Sequence, residues 1–184
     1  MPSPLLASTV LDADGHDLVG SPGVAGEAVY RSPCMMSGYY RDEAATRQAF
    51  RYGWFHSGDS CTYDADGLRI MLDRYKDIVK TGGENVSSLR VEAVLGQHPA
   101  VAKSAVIGLP HEHWTEAVTA VVVRAPGAAA DEAELIGFCR ERLAGYETPK
   151  GVLFVDELPE TVGGKVLKYK LRAAYSDHYG RIGA

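Results

Sequence analysis

Two Asp-Ala-Asp-Gly tetrads set between short apolar runs constrain the first part of this chain most. In "STVLDADGHDLV" (residues 8–19) and "CTYDADGLRIML" (residues 61–72), Asp-Gly falls where a chain must reverse direction. Aspartate and glycine supply the backbone conformations that tight hairpin loops need, and the flanking residues have strand composition. The spacing therefore predicts two β-hairpins in a small twisted sheet. Between them, "RDEAATRQAFRYG" (residues 41–53) is rich in helix formers and predicts a short helix closed by Gly53. The alternative for the second tetrad, the opening of a calcium loop, fails because the chain runs into "LRIML" without further ligands.

After residue 73 the pattern changes to alternating helices and strands. "VAKSAVIGL", "EAVTAVVV" and "GVLFV" have strand composition. In "DEAELIGFCRERLAG", Leu135, Phe138, Cys139 and Leu143 recur at helical spacing, Asp131 reads as the N-cap with Glu134 three residues on, and Gly145 as the stop. "APGAAA" and "YETPKG" read as loops, and "VLKYKLRAAYSDHYG" as a last helix with a basic face. The fold class is α+β, with a boundary near Arg74 to Lys76 between a β-rich first part and an α+β second part.

Composition excludes several function classes. At 184 residues, 46% hydrophobic and 23% charged, the chain can bury a core. Its formal net charge of -5 argues against a nucleic-acid-binding surface spread over the whole molecule, so any phosphate must be gripped locally. Cys34, Cys61 and Cys139 form no CxxC pair, which suggests neither a disulfide framework nor a zinc site and fits a reducing cytoplasm. His111 and His113 in "PHEHW" lack a third partner and read as loop histidines, so no metal ligand set is expected. No apolar run approaches a membrane span, and no basic n-region precedes an apolar core.

On residue chemistry alone, the candidate sites stay open. Gly164-Lys165 matches the centre of a phosphate loop, but Pro159 stands where its first glycine should be and Val166 where its hydroxyl is needed. A lysine after two glycines can still present an ammonium to phosphate or carboxylate, but composition alone favours an ordinary exposed lysine. Asp59 in "SGDS" could accept from two hydroxyls of a sugar diol, but taken alone it reads first as a turn aspartate. Lys165, Lys168, Lys170 and Arg172 could steer an anion or form a solvated helix face.

Read in order, "GEAVYRSPCMMSGYYRDEAATRQAFRYGWFHSGD", "LDRYKDIVKTGGENVSSLRVEAVLGQHPAVAKSAVIGLPHEHWTEAVTAVVV" and "LPETVGGKVLKYKLR" resemble the C-terminal third of acid–CoA ligases. These belong to the adenylate-forming superfamily, with luciferases and peptide-synthetase adenylation domains. The resemblance covers essentially the whole chain. It implies that residues 1–75 are the β-rich end of an N-terminal adenylation part and residues 76–184 a small mobile domain.

By that resemblance, Asp59 and Arg74 would bind the ribose of ATP and of the acyl-adenylate. Lys76 would be the hinge, and Lys165 the catalytic lysine of adenylation. Gly82 and Gly83 would line a pantetheine tunnel narrow enough to exclude side chains, and Trp114, Tyr146 and Lys150 would contact the CoA nucleotide. The reaction implied uses ATP, CoA and Mg2+ to turn a carboxylic acid, fatty or aryl, into an acyl-CoA by domain alternation. Ser57 replaces the usual threonine, and Thr148 stands where some relatives place an arginine for CoA phosphates. The motifs that hold magnesium and the acyl group have no counterpart here, so the chain is expected to need a missing N-terminal part as partner or to self-associate. The alternative is a stand-alone module that binds CoA or a nucleotide without chemistry.

Overall fold

The computed structural model describes residues 5–180, and the chain divides into two compact units, Met1–Lys76 and Asp77–Ala184. The first unit is an antiparallel sheet in the order β1 (Ala7–Leu11), β2 (Gly26–Arg31), β3 (Phe55–Tyr63) and β4 (Arg69–Arg74). The second Asp-Ala-Asp-Gly tetrad closes the β3–β4 hairpin, with Asp64 N–H donating to the Leu68 carbonyl at 2.9 Å and Tyr63 opposite Arg69. The first tetrad forms a turn, yet its return is a single bridge between Leu11 and Asp17, and β1 pairs instead with β2. Helix α1 (Glu43–Ala49) is capped by Asp42 and stops before the expected Gly53; a 3-10 turn over Arg51–Gly53 follows, with Gly53 at φ +74. Val10, Leu18, Ala28 and Cys61 form the unit's small core. Strands β1 and β4 are both edges, and Ile70 and Met71 on β4 are exposed.

The second unit is built on a long antiparallel hairpin, β7 (Val101–His111) and β8 (Thr115–Arg124). Strand β8 also meets the short hairpin β5 (Val79–Thr81) and β6 (Glu84–Val86), and pairs in parallel with β9 (Gly151–Phe154). Residues Ala117–Val122 are buried without alternation because both faces of the sheet are covered. On one face α2 (Ser88–Leu95) and α3 (Glu132–Arg140) bring Val91, Leu95, Leu135 and Cys139 onto Val106, Val118, Ala120 and Val122. On the other, Leu158 and Leu171 of α4 (Lys168–Ala174) pack on Ala105, Ile107, Leu109 and Val121.

Asp131 caps α3 as its sequence predicts, its Oδ1 accepting the Glu134 N–H at 2.8 Å. The helix ends at Arg140, short of Gly145: the Arg142 N–H bonds the Cys139 carbonyl three residues back, the tightened turn of a helix end, and one more α-type bond from Leu143 to the same carbonyl follows it. Leu143 is buried all the same. Among the described residues, no helix is long and apolar enough to cross a membrane.

Candidate functional site

In the first unit, Asp59 sits on β3 directly opposite Arg74 on β4, with Arg74 Nε 3.5 Å from Asp59 Oδ1. Both are half-exposed, and the pair lies beside a β-bulge. Between the pairs Glu27↔Ser60 and Val29↔His56, Ser57, Gly58 and Asp59 on β3 oppose Ala28 alone. Gly58 adopts φ +76, a conformation that glycine accepts at no steric cost. Ser57 Oγ donates to the Ala28 carbonyl at 2.8 Å and accepts the Asp59 N–H at 3.0 Å. The hydroxyl that Ser57 shares with threonine is thus the part of the side chain that the bulge uses. Lys76 is exposed and ends this unit.

In the second unit, Lys165 lies near the tip of a tight hairpin closed by a bridge between Glu160 and Val166. Its own backbone completes the loop: the Lys165 carbonyl accepts the Thr161 N–H at 2.9 Å, and its N–H donates to Thr161 Oγ1 at 3.1 Å. Gly164, at φ +77, makes the reversal. The Lys165 side chain is exposed, and its ammonium has no ion-pair partner among the described residues. The hairpin is anchored at its base by Lys103 Nζ on Glu160 Oε1 at 2.7 Å.

At the far end of β7 a second cluster forms. Gly82 and Gly83 are the two loop residues of the β5–β6 hairpin, at φ +57 and +86, the pair of positive φ values that a type I′ turn requires. That requirement explains both glycines without any channel: nothing lies near a Cβ placed on Gly83, and on Gly82 it would meet only Trp114 Cδ1 at 3.9 Å. Gly82 N–H donates to the Trp114 carbonyl at 3.0 Å, and Lys150 Nζ lies 5.4 Å from the Trp114 ring centroid. Lys150 Nζ also donates to the Gly145 carbonyl at 2.9 Å, next to the exposed Tyr146. Burial, and then the nearby Arg140 charge, lower the Lys150 pKa below the ordinary lysine value. An anion at this ammonium would restore what burial removes. Thr148 is buried and its Oγ1 donates to the Ala144 carbonyl, so it offers this surface nothing.

The two sites are separated by the length of a strand. Lys103 and His111 are eight residues apart on β7, about 26 Å at 3.3 Å per residue. The Lys165 hairpin is anchored at the first; the Trp114 ring stacks 4.3 Å from His111 at the second. His111 is the last residue of β7, not a loop histidine, and also meets the Tyr179 ring at 5.1 Å. Thr115, which follows Trp114, holds φ +67, costly for a β-branched residue.

Sequence reasoning missed several groups that hold these sites. Glu27 accepts the Gly58 N–H; Glu116 Oε2 accepts the Lys80 N–H at 2.7 Å and ties β5 to β8. The basic face of α4 is partly not solvated: Lys168 Nζ lies 2.7 Å from Glu92 Oε1 and 2.6 Å from Ser88 Oγ, and Arg172 Nη2 2.6 Å from Asp77 Oδ1. Glu92 also accepts the Val106 N–H on the open edge of β7 at 2.7 Å. Asp12, Asp14 and His16 bring ligand atoms within 4.8 Å of one another, but Asp12 uses its carboxylate to close its own turn.

Comparison with known proteins places this geometry. The family described as "AMP-binding enzyme C-terminal domain" matches residues 90–165, from the first turn of α2 to the hairpin lysine. Residues 90–165 resemble an AMP-binding enzyme C-terminal domain. Around that domain, the chain is 46% identical to a feruloyl-CoA synthase of Amycolatopsis over 84% of its own length and 31% of that protein's. It is 44% identical to 4-hydroxybutyrate–CoA ligase 2 of Metallosphaera sedula, over 89% of this chain and 30% of that one. Among solved structures, ATP-bound MatB from Rhodopseudomonas palustris superimposes with a TM-score of 0.89 at 40% identity, covering 96% of this chain and 35% of MatB. The chain thus spans about a third of the length of the curated relatives it matches, and the match falls on the C-terminal portion of CoA ligases.

Proposed function

We propose that this chain is the portion of an ATP-dependent acid–CoA ligase that carries the adenylation lysine and the thioester-forming face, residues 1–75 completing an N-terminal part and residues 76–184 forming the mobile domain. In the first half-reaction a carboxylate oxygen attacks the α-phosphorus of ATP, the bond to pyrophosphate breaks, and an acyl-adenylate results. In the second the CoA sulfur attacks the acyl carbonyl, the thiol proton is lost and AMP leaves. Lys165 stabilises the negative charge that gathers between carboxylate and α-phosphate. Asp59 accepts from the ribose hydroxyls while Arg74 holds its carboxylate. Lys76 is the hinge, and Gly82, Gly83, Trp114, Tyr146 and Lys150 receive CoA.

The observation that carries this reading is the Lys165 ammonium, without an ion-pair partner among the described residues, on a hairpin held by its backbone, by Thr161 and, at its base, by Lys103 on Glu160. A side chain that the fold does not use is available to a substrate. Asp59 lies against Arg74, which suits a diol acceptor and not a cation cradle, so Mg2+ ligands belong to the part of the relatives this chain does not span. The same holds for the acid pocket. The substrate is a carboxylic acid, aryl by likeness to the feruloyl-CoA synthase or aliphatic, including fatty acids, and the setting is a reducing cytoplasm.

The test supplies the chain with a separately produced N-terminal part of a related CoA ligase, with ATP, Mg2+, CoA and a panel of aryl and fatty acids. Acyl-CoA should form only with both pieces. Lys165→Ala should slow pyrophosphate release by about 10²–10³, the loss expected for one preorganised electrostatic donor. A reconstituted enzyme whose adenylation is indifferent to Lys165→Ala would overturn the assignment.

A further inference from the structure

The bulge that carries Asp59 is held by a side chain to which no role has been given. Three residues of β3 face one of β2, so the Gly58 N–H has no partner on the strand ladder. Glu27, on β2, supplies one: its Oε1 accepts the Gly58 N–H at 2.9 Å. Glu27 is itself enclosed, 9% exposed, and its other oxygen receives Arg51 Nη2 at 2.6 Å and lies 2.7 Å from His56 Nδ1. His56 is buried too, with Nε2 3.1 Å from the Arg51 carbonyl, so the three residues lock one another. The remaining backbone groups of the bulge are also engaged: the Gly58 carbonyl accepts the Tyr75 N–H at 2.9 Å, and the Asp59 N–H goes to Ser57 Oγ. Only the Asp59 side chain, beside Arg74, is left to face a ligand.

We infer that Glu27 is the positioning residue for Asp59, and that the direction of the Asp59 carboxylate toward a ribose diol depends on the Glu27 to Gly58 bond. This rests on the reading of Asp59 as the diol acceptor. A buried carboxylate placed between a guanidinium and a bulge amide fixes that amide more stiffly than water could, because a charge-assisted bond is shorter and stronger than a neutral one. Two hydroxyls bound at once require an acceptor held within a few tenths of an ångström. Glu27→Gln breaks the arrangement without changing size: with its carbonyl toward Arg51 and His56, its NH2 faces the Gly58 N–H, donor against donor.

The experiment titrates the isotope-labelled chain with AMP and with 2′,3′-dideoxy-AMP, following the Gly58 and Asp59 amide resonances, and measures amide exchange at Gly58. Wild type should favour AMP at least tenfold, with a protected Gly58 amide. Glu27→Gln should abolish the preference and speed Gly58 exchange, while the β1–β2 amides stay protected and report an intact sheet. Ser57→Ala, which cuts the neighbouring bond of the same bulge, should lower the preference in the same direction and serves if Glu27→Gln does not fold. A Glu27→Gln chain that keeps the wild-type preference, or a Gly58 amide unprotected in wild type, overturns the inference alone. A wild type that does not distinguish the two nucleotides overturns the diol reading of Asp59, and the inference with it.

Discussion

Lys168→Met should destabilise the second unit by about 2–3 kcal/mol. The ammonium of Lys168 lies 2.7 Å from Glu92 Oε1 and 2.6 Å from Ser88 Oγ, and the two charged side chains are 12% and 19% exposed. Removing one partner of such a pair strands the other charge, which costs about 3–5 kcal/mol when burial is complete. Here the cost falls below that range for two reasons: Glu92 keeps the Val106 N–H and some water, and the methionine stem preserves the apolar packing of the lysine chain. Urea unfolding followed by Trp114 fluorescence measures it, in a Trp54→Phe background so that only the second unit reports. Glu92→Gln with Lys168→Met removes the stranded charge while an amide oxygen still accepts from Val106, and the pair should regain at least about 1 kcal/mol. A loss below about 0.5 kcal/mol in Lys168→Met, or a double variant no better than the single one, would refute the reasoning.

Thr115→Gly should be neutral or stabilising by up to about 1 kcal/mol, because φ +67 suits glycine, whereas Ala120→Gly in the same strand should destabilise; thermal unfolding separates them. Trp114→Ala in the reconstituted enzyme should raise the KM for CoA roughly tenfold and leave pyrophosphate release unchanged, the loss of about 1.4 kcal/mol of ring contact to a ligand. Burial pushes the Cys139 thiol from the ordinary 9.0 up to about 11. Above pH 9 the unfolded chain has lost this proton while the folded one keeps it, so stability falls as pH rises to about 11. The stability difference between wild type and Cys139→Ala should therefore shrink by up to about 3 kcal/mol over that interval. At pH 8, of the three thiols only the exposed Cys34 should react rapidly with an alkylating reagent.

What could be read from the sequence follows the reach of each interaction. The Asp131 cap and the second Asp-Gly hairpin were legible because each is settled within five residues, and the strands around Ala105 and Val121 because their apolar runs are long. The return of the first tetrad was misread because the true partner of β1 begins fifteen residues after Leu11, at Gly26. Helix α3 was overrun because Leu143 keeps the helical period although the backbone has already turned at Cys139. Lys168 and Arg172 resembled a solvated face because their partners lie 80 and 95 residues away in sequence. Glu27 carried no local signal, since the amide it holds is 31 residues distant. Gly82 and Gly83 are over-determined: the type I′ turn needs both of them whatever passes beside it, so their presence alone does not distinguish a channel from a turn.

On the proposed reading, the separation along β7 decides how both half-reactions could use one nucleotide. The Lys165 hairpin is tied to Lys103 at one end of that strand and Trp114 stacks on His111 at the other, about 26 Å away by strand rise. Between them β7 and β8 pair continuously, and α4 is clamped by Lys168 to α2 and by Arg172 to Asp77, the first residue of the unit. No loop motion brings both ends to one α-phosphate, because the hairpin, the helix behind it and the strand share one core. If Lys165 serves adenylation and the Trp114 end serves thioester formation, the second unit must turn as a body, with the backbone change absorbed at the residues just before Asp77. Breaking the Asp77 to Arg172 pair should then loosen α4 against the start of the unit and slow adenylation, measured as pyrophosphate release, because the helix shares the core on which the Lys165 hairpin packs.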